Sequence, residues 1–396
     1  MGKADGTKRA KPAEDVKPCA GAQGRLVGAF TTVVDALDFR VGGRTKFKAS
    51  EIALITLCSV ASGGTSYYDY AAFGRDREAW LRQFLELKRG IPSHDAIRYF
   101  WTHLPPGVLN LCFLTWIDSF LELADGDGIH IDGKCIRRAG SPSGKQPCIV
   151  SAYSSNERIV IGQVKADEKS NEITAIPKLI DTLYLMGCVV TIDAAGCQRE
   201  VVRRIVAKFA DYLISLKGNQ ETLHDEIREL FETHFTDRDT RFKTFEATDK
   251  GHGRVTRRTC CQTDYLEWLP EKDRSKWAGL RSVCRIETET MEQKSGKVTK
   301  DCRYFISSLA VDPERALRMA VSHWDIENPL HWTLDMVFDE DHSRARSRYA
   351  AENLAVMRHI VFDMIRRDKV TSGGIKRKKK EMTWSEDKML MVLLAA

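Results

Sequence analysis

Apolar positions recur at helical spacing from about residue 25 to 125. The run SEIALITLCSVASGG opens on Ser50, a residue type that caps helices, carries an apolar face and stops at Gly63-Gly64. SYYDYAAFGRDREAWLRQFLEL and SHDAIRYFWTHL repeat the theme, the second after the breaker Gly90-Ile91-Pro92 with Ser93 as its cap. GVLNLCFLTWIDSFLEL completes an all-α N-terminal region. At residue 128 the pattern changes to short β-branched runs at hairpin spacing, GIHIDGK, CIVSAYS and RIVIGQVKA. A helical segment (EITAIPKLIDTLYLMG), a buried strand (CVVTIDA), a helix (QREVVRRIVAKFA) and a strand (DYLISLKG) follow. This order predicts an α/β class. Residues 241–308 interrupt the alternation with two long strand pairs, the second turning at Lys294-Ser295-Gly296-Lys297. Helix resumes at Asp312-Pro313, cap followed by first-turn proline.

The pattern divides the chain into an arm (1–24), a helical domain (25–125), an α/β domain (126–366) with a β-rich insertion at about 241–308, and a basic tail with a short helix (367–396). Charge changes this picture only at the ends. Sixty-one basic residues against 55 acidic ones give a net +6, a bias that permits nucleic-acid binding without demanding it. Lys3, Lys8, Arg9, Lys11 and Lys17 make the arm basic, and its scarcity of large apolar residues predicts disorder. The other cluster is KRKKK at 376–380. Eleven cysteines without a CxxC pair are expected to be reduced, mostly buried thiols. No apolar run approaches the roughly 18 residues of a membrane span, and no secretory leader is evident, so a cytoplasmic, nucleoid-associated protein is expected.

Two strands end in aspartate: Asp132 in IHIDGK and Asp193 in CVVTIDAAGCQ. Open α/β sheets place ligands and catalytic groups at the carboxyl ends of strands, although a turn or cap aspartate occupies the same kind of position. A third acid is less defined. Trp324, Glu327, His331 and Leu334 share one helical stripe, yet spacing does not choose between Glu327, Asp335, Glu340 and Asp341. Three converging carboxylates suit two Mg²⁺ or Mn²⁺ ions and phosphodiester chemistry. No P-loop, GxSxG, HExxH or GxGxxG motif competes.

At these residues the chain resembles the insertion-sequence DDE transposases of the H-repeat-associated branch. The resemblance covers roughly residues 35–390 through LDFR, GIPSHDAIRYF, IDGKCIR, EKSNEITAIP, TIDAAGCQ, DYLISLKGNQ, GHGR, RYFISSL, HWDIENPLHWTLDMVFDEDHSR and ENLAVMRH, in that order. It implies a ribonuclease-H-like mixed sheet with a β-rich insertion, preceded by a helical DNA-binding or assembly domain. It assigns Asp132, Asp193 and Glu327 as catalytic, metal-holding acids. The implied activity is metal-dependent DNA cleavage and strand transfer, with element ends and target DNA as partners and a homodimer or larger assembly. A DNA-binding relic without catalysis, or a nuclease without strand transfer, is the alternative. Lys134, Arg137, Lys217, Asn219 and Gln220 are candidates for contacting phosphates or base edges, as is Arg344. Trp324, His331 and Trp332 are candidates for stacking on DNA or for core packing. His252 and Arg254 would line the insertion's DNA face or serve a turn. The KRKKK run would meet phosphates nonspecifically. Three positions depart from the family pattern: Val321 where an Arg is common, Val255-Thr256-Arg257-Arg258 where Ile-Glu-Thr-Arg usually follows HGR, and Pro329 just after Glu327. That proline removes a backbone bond to Asp325 and is expected to kink or end the helix.

Overall fold

A computed structural model describes residues 24–40, 45–140, 146–167, 172–235 and 239–396. Apart from Gly24, the basic arm lies outside the described residues. Nine strands form one mixed sheet: β1 (Gly128–Cys135), β2 (Cys148–Ser154), β3 (Ile159–Lys165), β4 (Val189–Ile192), β5 (Asp211–Leu216), β6 (Phe242–Gly251), β7 (Arg254–Thr263), β8 (Ser282–Glu292) and β9 (Val298–Ser307), in the spatial order β3-β2-β1-β4-β5-β9-β8-β7-β6. β1, β4 and β5 run parallel, and the other pairings are antiparallel. This is the α/β class expected from the element order and the ribonuclease-H-like mixed sheet that the resemblance implied.

The helices are α1 (Arg25–Ala29), α2 (Ala49–Ala61), α3 (Tyr67–Asp76), α4 (Glu78–Leu81), α5 (His94–His103), α6 (Pro106–Asp118), α7 (Glu172–Thr182), α8 (Arg199–Ala207), α9 (Glu221–Glu229), α10 (Glu271–Arg274), α11 (Pro313–Ser322), α12 (Thr333–Met336), α13 (Ala350–Arg367), α14 (Ile375–Trp384) and α15 (Glu386–Ala395). Ser93 and Asp312 cap α5 and α11 as their sequence positions suggest. Ser50 does not cap α2. The helix starts one residue earlier, and Ser50 instead donates to Asp35 at 2.7 Å. Glu51 closes that end by accepting from the Lys48 amide at 3.0 Å and the Leu87 amide at 2.8 Å. A short-range cap signal was overridden by a carboxylate with two backbone donors in reach.

All thirteen residues of α2 are buried, which explains why its apolar pattern shows little sidedness. It is enclosed by α3, α5, α13 and α14, so late segments of the chain complete the core of the early helices. Asn353 on α13 is the polar pin of this junction. Fully buried, it donates to the carbonyls of Trp101 at 3.1 Å and Leu104 at 2.8 Å, at the end of α5. Asn353→Ala strands two buried carbonyls and is expected to cost about 3 kcal/mol, read as a lower urea midpoint with unchanged slope.

The β-rich insertion is not a separate module. β9 pairs with β5, so the sheet runs through it without a break. Asp193 follows Ile192, which is level with Ile214, and the next residue, Ser215, pairs with Phe305. β9 starts seven residues before Phe305, at Val298, so β6–β9 overhang the carboxyl edge of the parallel strands by roughly 24 Å, at ~3.4 Å per residue. The overhang is a four-stranded blade.

Two other expectations change. The basic C-terminal run is helical: KRKKK forms the first half of α14. Lys379 is buried, donates to the Val337 carbonyl at 2.8 Å and lies 4.2 Å from the centroid of the Phe338 ring, while Lys378 reaches Asp368. Cys135 and Cys148 are joined in a disulfide where reduced thiols were expected, because the β1–β2 register sets them directly opposite each other. The other eight described cysteines are free. Among the described residues no helix is long and apolar enough to cross a membrane.

Candidate active site

The parallel ladder between β1 and β4 ends at Ile131 opposite Ile192. The next residue on each strand is an aspartate. Asp132 and Asp193 therefore stand side by side on neighbouring strands whose backbones are about 4.8 Å apart, both on the sheet face covered by α11. Asp132 is not at a strand end. β1 continues to Cys135 because β2 keeps pairing with it, through Asp132 opposite Ser151. Asp193 does end its strand, and its Oδ1 accepts from the amides of Ala195 at 3.1 Å and Gly196 at 3.4 Å. It is a turn cap as well as a candidate site acid, so the two readings of it are compatible.

Glu327 lies on Ile326–Trp332, a stretch wound as a π-helix between α11 and α12. Pro329 falls inside it without ending the helix. The wider turn tolerates a residue that cannot donate, and such bulges are frequent at functional sites. It also dissolves the stripe that regular helical spacing suggested. Leu334 is buried, Glu327 and Trp332 are exposed, and Trp324 lies between two arginines.

Charge pairing separates the four acids that spacing could not. Asp335 and Asp341 contact Lys134 at 2.6 and 3.2 Å, Asp341 also meets Arg137 at 3.1 Å, and Glu340 pairs with Arg358 at 3.2 Å. Glu327 has no cationic partner among the described residues. Burial first, then Asp193, Glu172 and Glu327, push the Asp132 carboxyl up to about 7, against the backbone amide of Gly133 that favours its charged form. Acids crowded in this way, with only the neutral ring of His331 near Asp132, are matched to a bound cation, and hard carboxylate oxygens suit Mg²⁺ or Mn²⁺.

Beneath the aspartates is a polar chain that the sequence reading missed. His323 Nδ1 and His130 Nδ1 both contact Thr191 Oγ1, at 2.8 and 2.7 Å. Burial holds His130 down to about 3 and His323 to about 4, so both are neutral. Thr191 and His130 lie two residues before Asp193 and Asp132 on the same faces of their strands, a period-two relation that the sequence does display. Glu172 was also missed, although it belongs to the EKSNEITAIP segment. At the start of α7 its carboxylate occupies the space a Cβ on Gly133 would need, 2.2 Å from that position. Burial and then Asp193 raise its carboxyl.

The remaining candidates separate by location. Asn219 donates to the Ala194 carbonyl at 2.6 Å and Gln220 to that of Cys197 at 3.0 Å, so both brace the Asp193 turn. Lys217, just before them, is exposed. Lys134 is inward-facing, its side chain only 10% exposed and surrounded by three carboxylates. His331 Nδ1 stands 3.7 Å from Asp132, beyond hydrogen-bonding distance, and burial holds its ring neutral, down to about 3. Arg344 is exposed on a segment with Arg346 and Arg348, and Arg346 donates to the Arg138 carbonyl at 2.9 Å, beyond β1. His252 and Arg254 are at the tip of the β6–β7 hairpin, which His252 and Gly253 turn at φ of 51° and 73°. They are not brought to the acids.

Residues 124–364 match the family described as transposase DDE domain, and residues 31–117 match the DDE_Tnp_1-associated family. The chain is 34% identical to "H repeat-associated putative transposase YhhI" of Escherichia coli (strain K12), over 90% of this chain and 95% of that protein. It is also 34% identical to "Putative transposase YncI" of Escherichia coli O157:H7, over 87% of this chain and 89% of the other. The chain belongs to the DDE transposase family. Proteins with this domain generally use divalent metal ions and act on DNA. The acids of this chain fit that cofactor class: Asp132 and Asp193 are adjacent by register, and Glu327 has no cationic partner among the described residues.

Proposed function

We propose that this transposase cuts DNA at the ends of its own element and joins the freed 3′-hydroxyl to target DNA, with Asp132, Asp193 and Glu327 holding two Mg²⁺ or Mn²⁺ ions. The observation that carries this reading is the cluster itself: two register-adjacent aspartates and a nearby glutamate with no neutralising cation among the described residues. Divalent ions held there would activate an oxygen nucleophile and stabilise the leaving oxygen. The chain's own residues do the placing. Thr191, bonded to His323, ties β4 to the end of α11, and Asn219 and Gln220 fix the turn that aims Asp193. Lys217, Trp332 and the Arg344–Arg348 segment present exposed cationic and aromatic groups for phosphates and bases near this edge. Transposition needs two ends held together, so the active complex is at least a dimer on DNA. The site operates on cytoplasmic, nucleoid DNA.

Incubation with labelled element-end DNA and Mn²⁺ is expected to give cleaved ends and joined products, both abolished by a chelator and restored by added Mg²⁺. Cleavage without joining would reassign the chain as a nuclease. Folded protein that binds the ends and never cuts would leave only a DNA-binding role.

A further inference from the structure

The segment carrying Glu327 is held from below by Ile326 and Leu330, both fully buried, while the Glu327 side chain has no cationic partner among the described residues. It is π-wound, contains a proline, and exposes both Glu327 and Asn328. Its upstream end nevertheless has a specific anchor. The Trp324 ring is flanked by the guanidinium carbons of Arg258 on β7, 5.4 Å from the ring centroid, and Arg303 on β9, 5.5 Å away. Each arginine is itself secured, Arg258 by Asp249 and Arg303 by Asp301 at 2.8 Å. The strand register puts Arg258 and Arg303 on the same face of the blade, with β8 between their strands. Trp324 thus joins the blade to the segment that bears the third acid.

We infer that Trp324 is a positioning residue, and that its seat between Arg258 and Arg303 sets where Glu327 stands relative to Asp132 and Asp193. The inference rests on the reading of Glu327 as the third acid. Each contact is a cation–π interaction in a half-buried setting, strong enough to hold a short segment and weak enough to yield when the blade moves. The blade overhangs the catalytic edge, so DNA lying along it would press on the same strands that hold Trp324. Blade position and Glu327 position are then coupled through α11, which packs on β6, β7 and β8, and through Trp324 just past its end. The competing use of the two arginines is direct contact with DNA phosphates, with Trp324 merely packed beneath them.

The test compares wild type, Trp324→Ala, Trp324→Phe and the Arg258→Ala, Arg303→Ala double variant. Three readouts are taken: hydrogen–deuterium exchange over residues 326–332, single-turnover cleavage rate at saturating DNA and Mn²⁺, and Kd for element-end DNA. Trp324→Ala is expected to speed exchange in that segment and to slow cleavage by roughly ten- to a hundredfold, with Kd within about twofold. Trp324→Phe, which keeps an aromatic face, should recover most of both losses, and the double arginine variant should resemble Trp324→Ala. Unchanged exchange in Trp324→Ala overturns the inference, as does faster exchange with undiminished cleavage. A loss confined to Kd in the arginine variant would assign those side chains to DNA and overturn it as well. If wild type does not cleave at all, the proposed function fails while the exchange comparison still judges the anchor.

Discussion

Asp193→Asn is expected to lower metal-dependent cleavage by at least about a thousandfold, ~4 kcal/mol in the activation barrier, while end-DNA binding is retained. The substitution keeps the shape of the side chain and its acceptance from the Ala195 and Gly196 amides, so the turn survives. What is lost is the negative charge beside Asp132. Asp132→Asn should be equally inactive and more thermally stable than wild type at neutral pH. Its folded-state carboxyl is raised to about 7 from an ordinary 3.8, so deprotonation between those values costs the fold stability as pH rises. An amide removes that cost. A melting temperature that fell in Asp132→Asn would contradict the crowding described here, and a fully active Asp193→Asn would remove the metal-holding role from this edge.

Truncation after Arg367 is expected to give insoluble or unfolded protein. The excised helices α14 and α15 look from the sequence like a basic tail and a short terminal helix, but they bury Ile375, Met382, Met389, Leu390, Val392 and Leu393. At ~2 kcal/mol for each apolar side chain, six of them represent roughly 12 kcal/mol, comparable with the entire stability of an ordinary domain. The loss reaches the opposite end of the chain. Trp116 donates its indole N–H to the Ala396 carbonyl at 2.6 Å, and the backbone of Gly24 approaches so near α15 that a Cβ there would lie 2.7 Å from Leu394 Cα. Solubility, circular dichroism and a denaturant curve of the 1–367 fragment check this. A cooperatively folding fragment would show that the two helices are dispensable.

The helices before residue 125 and the sheet after it are distinct in periodicity but not in packing. α13 touches α2, α5, α6 and β3, and Asp363 on it accepts from the Val160 amide at 2.9 Å. A catalytic fragment cut at residues 126 and 366 would expose that helix along one side.

Local pattern was sufficient for much of the rest. Alternating β-branched runs identified the strands, and cap residues such as Ser93 and Asp312 marked real helix starts, because these signals depend on neighbours a few residues away. Asp193 was legible as a strand-end acid for the same reason, whereas Asp132 stands inside β1 because β2 keeps pairing with it. Ser50 failed because Asp35, fifteen residues earlier, competed for it.

What the sequence by itself determined is the α/β class, the strand order along the chain, the insertion and the candidacy of Asp132 and Asp193. The tertiary structure alone decided which acids lie together and which are already paired. Lys134, two residues from Asp132, proved to belong to Asp335 and Asp341 some two hundred positions away, and Glu340 to Arg358, leaving Glu327 as the one of these four acids without a cationic partner among the described residues. It also decided that Asn219 and Gln220 face the Asp193 turn, that His323 reaches Thr191, and that Cys135 meets Cys148. The physical reason is range. Backbone conformation follows from interactions a few residues apart, whereas the charge state and accessibility of a carboxylate depend on whichever cations, amides and apolar groups the fold brings within a few ångströms.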